Sequence, residues 1–121
     1  MMKLLKLSAF LLLITLSACD QKEPKSDKEG TITFIELGSV RCIPCKKMQK
    51  VIKQVEEKYP TQVETIFYDV WTDEGEEAAK DYVFDEIPTQ IFLDENGKEF
   101  ARHVGYFPFE ELDEIIKQKL Q

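Results

Sequence analysis

The chain has 121 residues, of which 23 are acidic and 16 basic, for a formal net charge of −7. This length allows one domain and leaves little room for a second. The acidic surplus argues against nucleic-acid binding, which needs a basic face to neutralise phosphates. It also argues against electrostatic attraction to anionic lipid.

The first 18 residues have the pattern of an export signal. Lys3 and Lys6 precede an apolar run over residues 7–16, which is too short to cross a bilayer comfortably as a permanent helix and is followed by small residues. We therefore expect residues 1–18 to be a signal peptide. The remaining chain carries 14 basic and 23 acidic side chains, so its net charge becomes −9.

The signal ends in Leu-Ser-Ala-Cys at residues 16–19, which resembles the lipobox of bacterial lipoproteins. The resemblance implies that Cys19 is lipidated and that the acyl group holds the protein at the membrane. The alternative is an ordinary secretory signal, with Cys19 as a spare thiol. The polar segment that follows has no apolar residue able to anchor a core, and we expect residues 19–30 to be a flexible tether.

Residues 31–121 alternate between strand and helix patterns. Runs of β-branched and aromatic residues predict strands over 31–37 and 62–70. An apolar stripe between them predicts a helix that begins after Cys42 and ends at Pro60. A second helix is predicted over residues 73–83, with acids near its positive end. Its modest apolar face consists of Ala78, Ala79, Tyr82 and Val83.

The last third predicts a hairpin and a helix. Asn96-Gly97 separates two strand-like runs within residues 89–105, and this pair favours a tight hairpin turn. A helix follows over residues 108–120. The resulting order βαβαββα predicts an α/β fold with about four strands in a mixed sheet flanked by helices. Its alternating part predicts parallel strands joined by right-handed crossovers, to which the hairpin adds an antiparallel edge.

Cys42 and Cys45 stand three residues apart where the first helix is predicted to begin. Exported proteins sit where disulfides persist, and with Cys19 acylated these two thiols have only each other. At the start of a helix, unpaired N–H groups and the positive dipole end favour a thiolate over a thiol. Cys45 lies on the apolar stripe and should be buried. We therefore expect Cys42 to attack and Cys45 to resolve.

Three other roles of the cysteine pair are possible. A zinc site needs four ligands, and the chain offers two thiols and the lone His103. Covalent haem attachment needs a histidine directly after the second cysteine, where Lys46 stands. A purely structural disulfide would close too short a loop to stabilise much. We expect no metal and no cofactor other than a redox-active Cys42–Cys45 disulfide.

Three segments together resemble the thioredoxin superfamily. They are residues 34–48 with the cysteine pair, residues 87–100 beginning Ile-Pro-Thr, and His-Val-Gly at 103–105. The likeness spans roughly residues 31–120 and is closest to membrane-anchored, thioredoxin-like lipoproteins on the outer side of the bacterial cytoplasmic membrane. The chain departs from the family in having Arg41 where a tryptophan is usual, Ile-Pro between the cysteines instead of Gly-Pro, and no first strand and helix of full thioredoxin.

The resemblance implies two roles close to the cysteines. Glu36 matches a buried acid that assists proton transfer at the second cysteine. The period-two alternation of the first strand independently turns Glu36 toward the core, where loss of water raises the pKa of a carboxyl group. A strand-end glutamate facing water is the alternative. Pro88 matches a cis proline, preceded by Ile87, whose backbone groups would bind an extended substrate. A trans proline opening the strand is the alternative.

Further residues complete the expected substrate surface. Trp71 follows the second strand at the same end of the sheet and would replace the missing aromatic contact; simple loop packing of Trp71 is the alternative. Arg41, directly before the first cysteine, is also expected to bind substrate. His103 is expected to be a solvent-facing strand residue.

The resulting hypothesis is an extracytoplasmic thiol-disulfide oxidoreductase. No histidine lies between the cysteines, unlike in strongly oxidising relatives, so we favour a reductase of exported protein disulfides, with apocytochrome c as one client. Electrons would come from a membrane thiol transporter. We expect a monomer, lipid-anchored to the bacterial cell membrane and facing the periplasm in Gram-negative cells. A disulfide oxidase or isomerase of the same fold and a non-catalytic thioredoxin-like binding module are the alternatives.

Overall fold

A computed structural model describes residues 31–121. The predicted signal peptide over 1–18 and the tether over 19–30 with Cys19 lie outside the described residues. The elements follow in the predicted order βαβαββα. They are β1 Ile32–Gly38, α1 Ile43–Lys58, β2 Val63–Asp69, α2 Asp73–Ala79, β3 Thr89–Leu93, β4 Glu99–Val104 and α3 Phe109–Leu120.

The four strands form one mixed sheet in the order β2-β1-β3-β4. β1 and β2 are parallel, whereas β3 is antiparallel to both β1 and β4. The expectation that the alternating part is parallel throughout was therefore wrong for β3. The seven residues of α2 rise only about 10 Å, and the chain then returns to the end of the sheet that it left. β3 accordingly starts with Thr89 opposite Leu37, at the carboxyl end of β1.

β1 is buried along its whole length and separates two apolar clusters. Its even-numbered residues Ile32 and Phe34 pack with α1 and α3, and the rings of Phe34 and Phe92 stack with centroids 4.9 Å apart. Its odd-numbered residues pack on the opposite face with Ala79 of α2 and Ile91 of β3. Each fully buried large apolar side chain stabilises the fold by about 1.5–3 kcal/mol, so both faces contribute.

α1 buries the stripe that the sequence predicts. Its buried residues are Cys45, Met48, Val51, Ile52 and Val55. The N–H of Tyr59 closes the helix by donating to the Val55 carbonyl at 2.8 Å, and Pro60 follows. α3 is fixed against this end because the Asp113 carboxylate accepts from the Tyr59 hydroxyl at 2.6 Å and from Lys58 Nζ at 2.6 Å.

α2 is shorter than predicted, since it ends at Ala79 and not at residue 83. The Thr72 hydroxyl caps its start by accepting from the Gly75 N–H at 3.0 Å. After Ala79 the chain turns, and the Tyr82 N–H donates to the Ala79 carbonyl at 2.9 Å. This turn packs Tyr82 onto the second cluster but leaves Val83 84% exposed, so the prediction that Val83 belongs to an apolar face was wrong.

No helix within residues 31–121 is both long enough and apolar enough to cross a membrane.

Candidate active site

Cys42 and Cys45 form a disulfide at the start of α1, with their Cα atoms 5.2 Å apart. Cys42 is the residue that caps the helix, and its carbonyl accepts the first helical hydrogen bond, from the Lys46 N–H at 3.0 Å. Pro44 lies in the first turn, where the missing N–H costs nothing. The first turn carries no acidic residue, so no side chain of that turn offsets the positive end of the helix at the sulfurs.

The two sulfurs differ in exposure. Cys42 is 9% exposed, whereas Cys45 is fully buried. Cys45 lies directly over Gly38, at the end of β1: a Cβ added to Gly38 would be 3.4 Å from Cys45 Sγ. The chain thus has an outer and an inner sulfur, in the arrangement that the apolar stripe predicts.

Glu36 shares a face of β1 with Gly38 and is 1% exposed. Its Oε2 accepts a hydrogen bond from the Gln90 amide at 3.0 Å, whereas its buried Oε1 has no hydrogen-bond partner within residues 31–121. Burial raises the pKa of Glu36 from 4.5 to about 8, against the smaller lowering by the Gln90 hydrogen bond. The predicted burial is confirmed, and the alternative of a water-facing glutamate was wrong.

Gln90 and His103 extend this polar contact across the sheet. The register pairs Glu36 with Gln90 and Gln90 with His103. His103 Nδ1 lies 2.9 Å from Gln90 Oε1, and the His103 ring stacks on Phe107 with centroids 3.9 Å apart. His103 is therefore half-buried, and the expectation of a solvent-facing side chain was wrong. Strand alternation in β4 could have predicted that His103 faces α1 and α3. Its partners Gln90 and Phe107 lie outside β4, so spacing within the strand does not predict these contacts.

Asp69 organises the loop in front of Cys42, a role that the sequence analysis missed. Its carboxylate accepts from the Val40 N–H at 3.2 Å and from the Trp71 N–H at 3.1 Å. Partial burial alone would raise the pKa of Asp69, but these bonds, a bond from Ser39 and the charge of Arg41 hold it below its usual range. The one available signal was an acid ending the second predicted strand, next to that loop.

Arg41 and Trp71 meet beside the outer cysteine. Arg41 Nη2 donates to the Trp71 carbonyl at 3.2 Å, and the guanidinium carbon lies 5.5 Å from the centroid of the indole ring. Trp71 stays 51% exposed, so it presents an aromatic surface to solvent. The structure therefore brings together the two residues that the sequence assigned to a substrate surface.

The bond between Ile87 and Pro88 is cis, so the trans alternative was wrong. Because Thr89 pairs with Leu37, Pro88 reaches the end of β1 where Cys45 covers Gly38. The Pro88 carbonyl accepts from the Gly105 N–H at 2.8 Å. Ile87 precedes β3 and takes no part in its strand pairing. Together with Trp71 it lines a cavity of about 510 Å³.

This arrangement suits thiol-disulfide exchange. The less buried of the two cysteines lies at a positive helix end, the second lies beneath it, and a buried carboxyl with an unpaired oxygen shares the strand face that the second cysteine covers. Such groups can exchange a disulfide and move the proton that exchange requires. No cluster of side chains able to hold a metal ion occurs within residues 31–121.

Comparison with known proteins gives the same picture. The thioredoxin-like domain model matches residues 19–120. The chain is 39% identical over 85 residues to the SPbeta prophage-derived thioredoxin-like protein YosR of Bacillus subtilis, covering 70% of this chain and 95% of that protein. It is 27% identical over 86 residues to a thioredoxin-related protein of Arabidopsis thaliana, covering 71% of this chain but only 53% of the relative. The solved Fasciola hepatica thioredoxin superposes with a TM-score of 0.64 at 28% identity, covering 75% and 83% of the two chains.

Proposed function

The chain belongs to the thioredoxin-like family and is a thiol-disulfide oxidoreductase, and from this premise we propose that it is a membrane-anchored reductase of disulfides in exported proteins. The observation that carries the proposal is the Cys42–Cys45 disulfide at the start of α1, in which the outer residue Cys42 is 9% exposed and the inner residue Cys45 is fully buried. A disulfide kept only for stability has no need of this asymmetry.

The reaction begins from the reduced pair. The Cys42 thiolate attacks one sulfur of the substrate disulfide, and the other substrate sulfur leaves as a thiolate and takes up a proton. Glu36 then accepts the proton of the Cys45 thiol. The Cys45 thiolate attacks the Cys42 sulfur, the bond from Cys42 to the substrate breaks, and the second substrate sulfur leaves as a thiolate that takes up a proton. Two electrons pass to the substrate, and the protein is left with the Cys42–Cys45 disulfide.

The residues between the cysteines support this direction of transfer. A positive side chain there would stabilise the Cys42 thiolate and hence the reduced form, which makes a protein an oxidant. Ile43 and Pro44, the two residues between the cysteines, carry no charge. The absence of such a charge supports a disulfide form that is favoured over the dithiol, so that reduced protein would give up its electrons readily. A membrane thiol transporter would resupply them.

Substrates are expected to bind as extended segments along Ile87 and Pro88. Ile87 lies outside the strand pairing, so its backbone groups are available for an added strand. Arg41 and the exposed Trp71 form the neighbouring contact surface. The CxxC disulfide of apocytochrome c is one client of suitable chemistry.

The location is proposed from the sequence of residues 1–30. The apolar run, the lipobox-like Leu-Ser-Ala-Cys and the polar tether together support an acyl chain on Cys19 that holds residues 31–121 outside the cytoplasm. Labelling of bacteria with a radioactive fatty acid tests this. The wild-type protein should take up label and the Cys19→Ser variant should not; label-free wild-type protein would contradict the proposal.

The reductase direction is tested by equilibrating the purified protein with dithiothreitol redox buffers and measuring the fraction of oxidised Cys42–Cys45 pair. Reduction potentials of related proteins run from about −270 mV for thioredoxin to about −120 mV for strong oxidants. We expect a value near the reducing end. A value near the oxidising end would assign the protein to the oxidases or isomerases. A pair that never equilibrates would indicate a binding module without catalysis.

A further inference from the structure

A row of three polar side chains crosses the sheet below the cysteine pair, on the face that packs against α1 and α3. Glu36 of β1, Gln90 of β3 and His103 of β4 occupy successive register positions. Gln90 is fully buried and touches both neighbours, with Nε2 3.0 Å from Glu36 Oε2 and Oε1 2.9 Å from His103 Nδ1. A buried amide bridging an acid and an imidazole calls for an explanation that thiol exchange alone does not give.

The amide can face its neighbours in two ways, and each way implies different protons. In the orientation described, the amide N–H₂ group donates to Glu36, which suits a carboxylate, and the amide oxygen requires the tautomer of His103 that is protonated at Nδ1. In the flipped orientation, the amide oxygen faces Glu36 and only a protonated carboxyl group can donate to it. A proton on His103 Nδ1 would therefore select the orientation in which Gln90 donates to the Glu36 carboxylate.

We propose that Gln90 and His103 are positioning residues for Glu36. Gln90 occupies one carboxyl oxygen and leaves Oε1 free, and His103 holds the Gln90 amide in the orientation that donates to Glu36. Stacking on Phe107 fixes the His103 ring, and the Phe107 N–H contacts Met48 Sδ at 3.2 Å, one helical turn beyond Cys45. The inference rests on the proposed function in one respect, namely that Glu36 accepts the proton of Cys45.

The surroundings leave few other groups to set the state of Glu36. Its neighbours across β1 are Phe67 on β2 and Gln90 on β3; burial raises the pKa of Glu36, and the Gln90 hydrogen bond lowers it by less. His103 makes no salt bridge within residues 31–121. The adjacent Arg102 points to the opposite face of β4, where it pairs with Glu99 and the Val83 carbonyl.

The test measures the titration of Glu36 directly, by following its side-chain carboxyl carbon by NMR in the oxidised, ¹³C-labelled full chain. Comparison with Glu36→Gln identifies the signal. Wild type should titrate near pH 8. Gln90→Leu removes the hydrogen-bond donor to Glu36, and His103→Phe removes the side chain that orients this donor. In both variants the midpoint of the Glu36 titration should rise by about one pH unit or more. His103→Asn keeps an N–H near the position of Nδ1 and should titrate close to wild type.

A kinetic readout links the row to the reaction. Reduced protein is mixed with an aromatic disulfide reagent, and release of the second aromatic thiol reports the attack of Cys45 on the Cys42 mixed disulfide. His103→Phe should shift the pH profile of this step upward, and His103→Asn should restore it. In a Glu36→Gln background, His103→Phe should have no further effect. Because His103 lies on an edge strand, its variants should fold, and they test the positioning role even if Gln90→Leu does not fold.

The outcomes separate the two proposals. Unchanged NMR midpoints in Gln90→Leu and His103→Phe would overturn the positioning role and leave the reductase mechanism intact. A Glu36→Gln variant that resolves the mixed disulfide as fast as wild type would remove Glu36 from the mechanism and this inference with it. Raised midpoints, restored by His103→Asn and silent in the Glu36→Gln background, are the result we expect.

Discussion

Cys45 packs over the backbone of Gly38, so closely that a methyl group added to Gly38 would lie 3.4 Å from both Cβ and Sγ of the cysteine. The same methyl group would lie 3.3 Å from Cε2 of Phe67 on the neighbouring strand. The inner sulfur is therefore seated against the strand face that also carries Glu36, at a position where a side chain has little room.

Gly38→Ala should lower stability and disturb the cysteine pair. Cys45 is fixed by the disulfide and by α1, so Phe67 on the edge strand must move, and we expect a loss of about 1 kcal/mol in the free energy of unfolding. Urea denaturation of oxidised protein measures it. Gly75→Ala serves as the severe reference, because its Cβ would lie 1.9 Å from the Asp69 carbonyl oxygen. A Gly38→Ala variant as stable as wild type would contradict the close packing.

Glu36 should make the protein less stable as pH rises. Its folded-state pKa of about 8 lies above the ordinary 4.5, so the folded state binds the proton more tightly. This contribution is fully present below pH 4.5 and is lost as pH rises through about 8, by at most about 5 kcal/mol. Urea denaturation of oxidised wild type and Glu36→Gln between these pH values measures it. As pH rises, wild type should lose stability relative to Glu36→Gln. Parallel curves of unfolding free energy against pH would show that the pKa of Glu36 is not raised.

Asp113 should stabilise the contact between α1 and α3 at all but very low pH. Burial raises its pKa, but hydrogen bonds from Lys58, Tyr59 and Lys117 outweigh this and lower it to about 2. Its contribution is present above the ordinary value of 3.8 and is lost as pH falls toward 2.

Asp113→Asn should therefore cost about 1–2 kcal/mol near neutral pH, since both lysines are partly exposed and their charges are screened. Thermal denaturation at several pH values checks this, and the gap to wild type should close in strong acid. Lys117→Met should cost less, because Lys58 and Tyr59 still bind the carboxylate. An equal loss at every pH would rule out the ionised carboxylate as the cause.

Trp71→Ala should weaken the binding of protein substrates. The ring is half-exposed and contacts Arg41, so its removal should raise KM for a protein disulfide several-fold and leave kcat and stability nearly unchanged. Steady-state kinetics with a protein and with a small aromatic disulfide separates binding from chemistry, since the small substrate should be unaffected. Leu120→Ala, which removes another exposed apolar side chain at the end of α3, is the matched control. An unchanged KM for the protein substrate would show that Trp71 only packs the loop and does not bind substrate.

Local signals sufficed for most of the fold. The stripe of α1, the Asn96-Gly97 turn and the strand runs each depend on neighbours in sequence, and all appear in the predicted order. The direction of β3 was missed because it depends on where the chain returns after α2. The end of α2 was missed because Tyr82 continues the helical spacing of apolar residues. In the structure Tyr82 lies in the turn after the helix and packs onto the second apolar cluster from there.

The candidate site shows the same division. The burial of Glu36 and the unequal exposure of Cys42 and Cys45 follow from periodicity within one strand and one helix. Two features of the site depend on elements that are distant in sequence: the contact of Gln90 with His103 and the role of Asp69. No spacing pattern in the sequence predicts them.

The most direct test of the central claim, that Cys42 attacks substrates and Cys45 releases them, is covalent trapping in cells. The Cys45→Ser variant lacks the resolving sulfur, so partners should accumulate as mixed disulfides on Cys42, visible as reductant-sensitive bands that mass spectrometry identifies. The Cys42→Ser variant is the matched control and should trap nothing comparable. Exported proteins carrying cysteine pairs on Cys45→Ser alone are the predicted result. Equal trapping by both variants, or none by either, would contradict the mechanism.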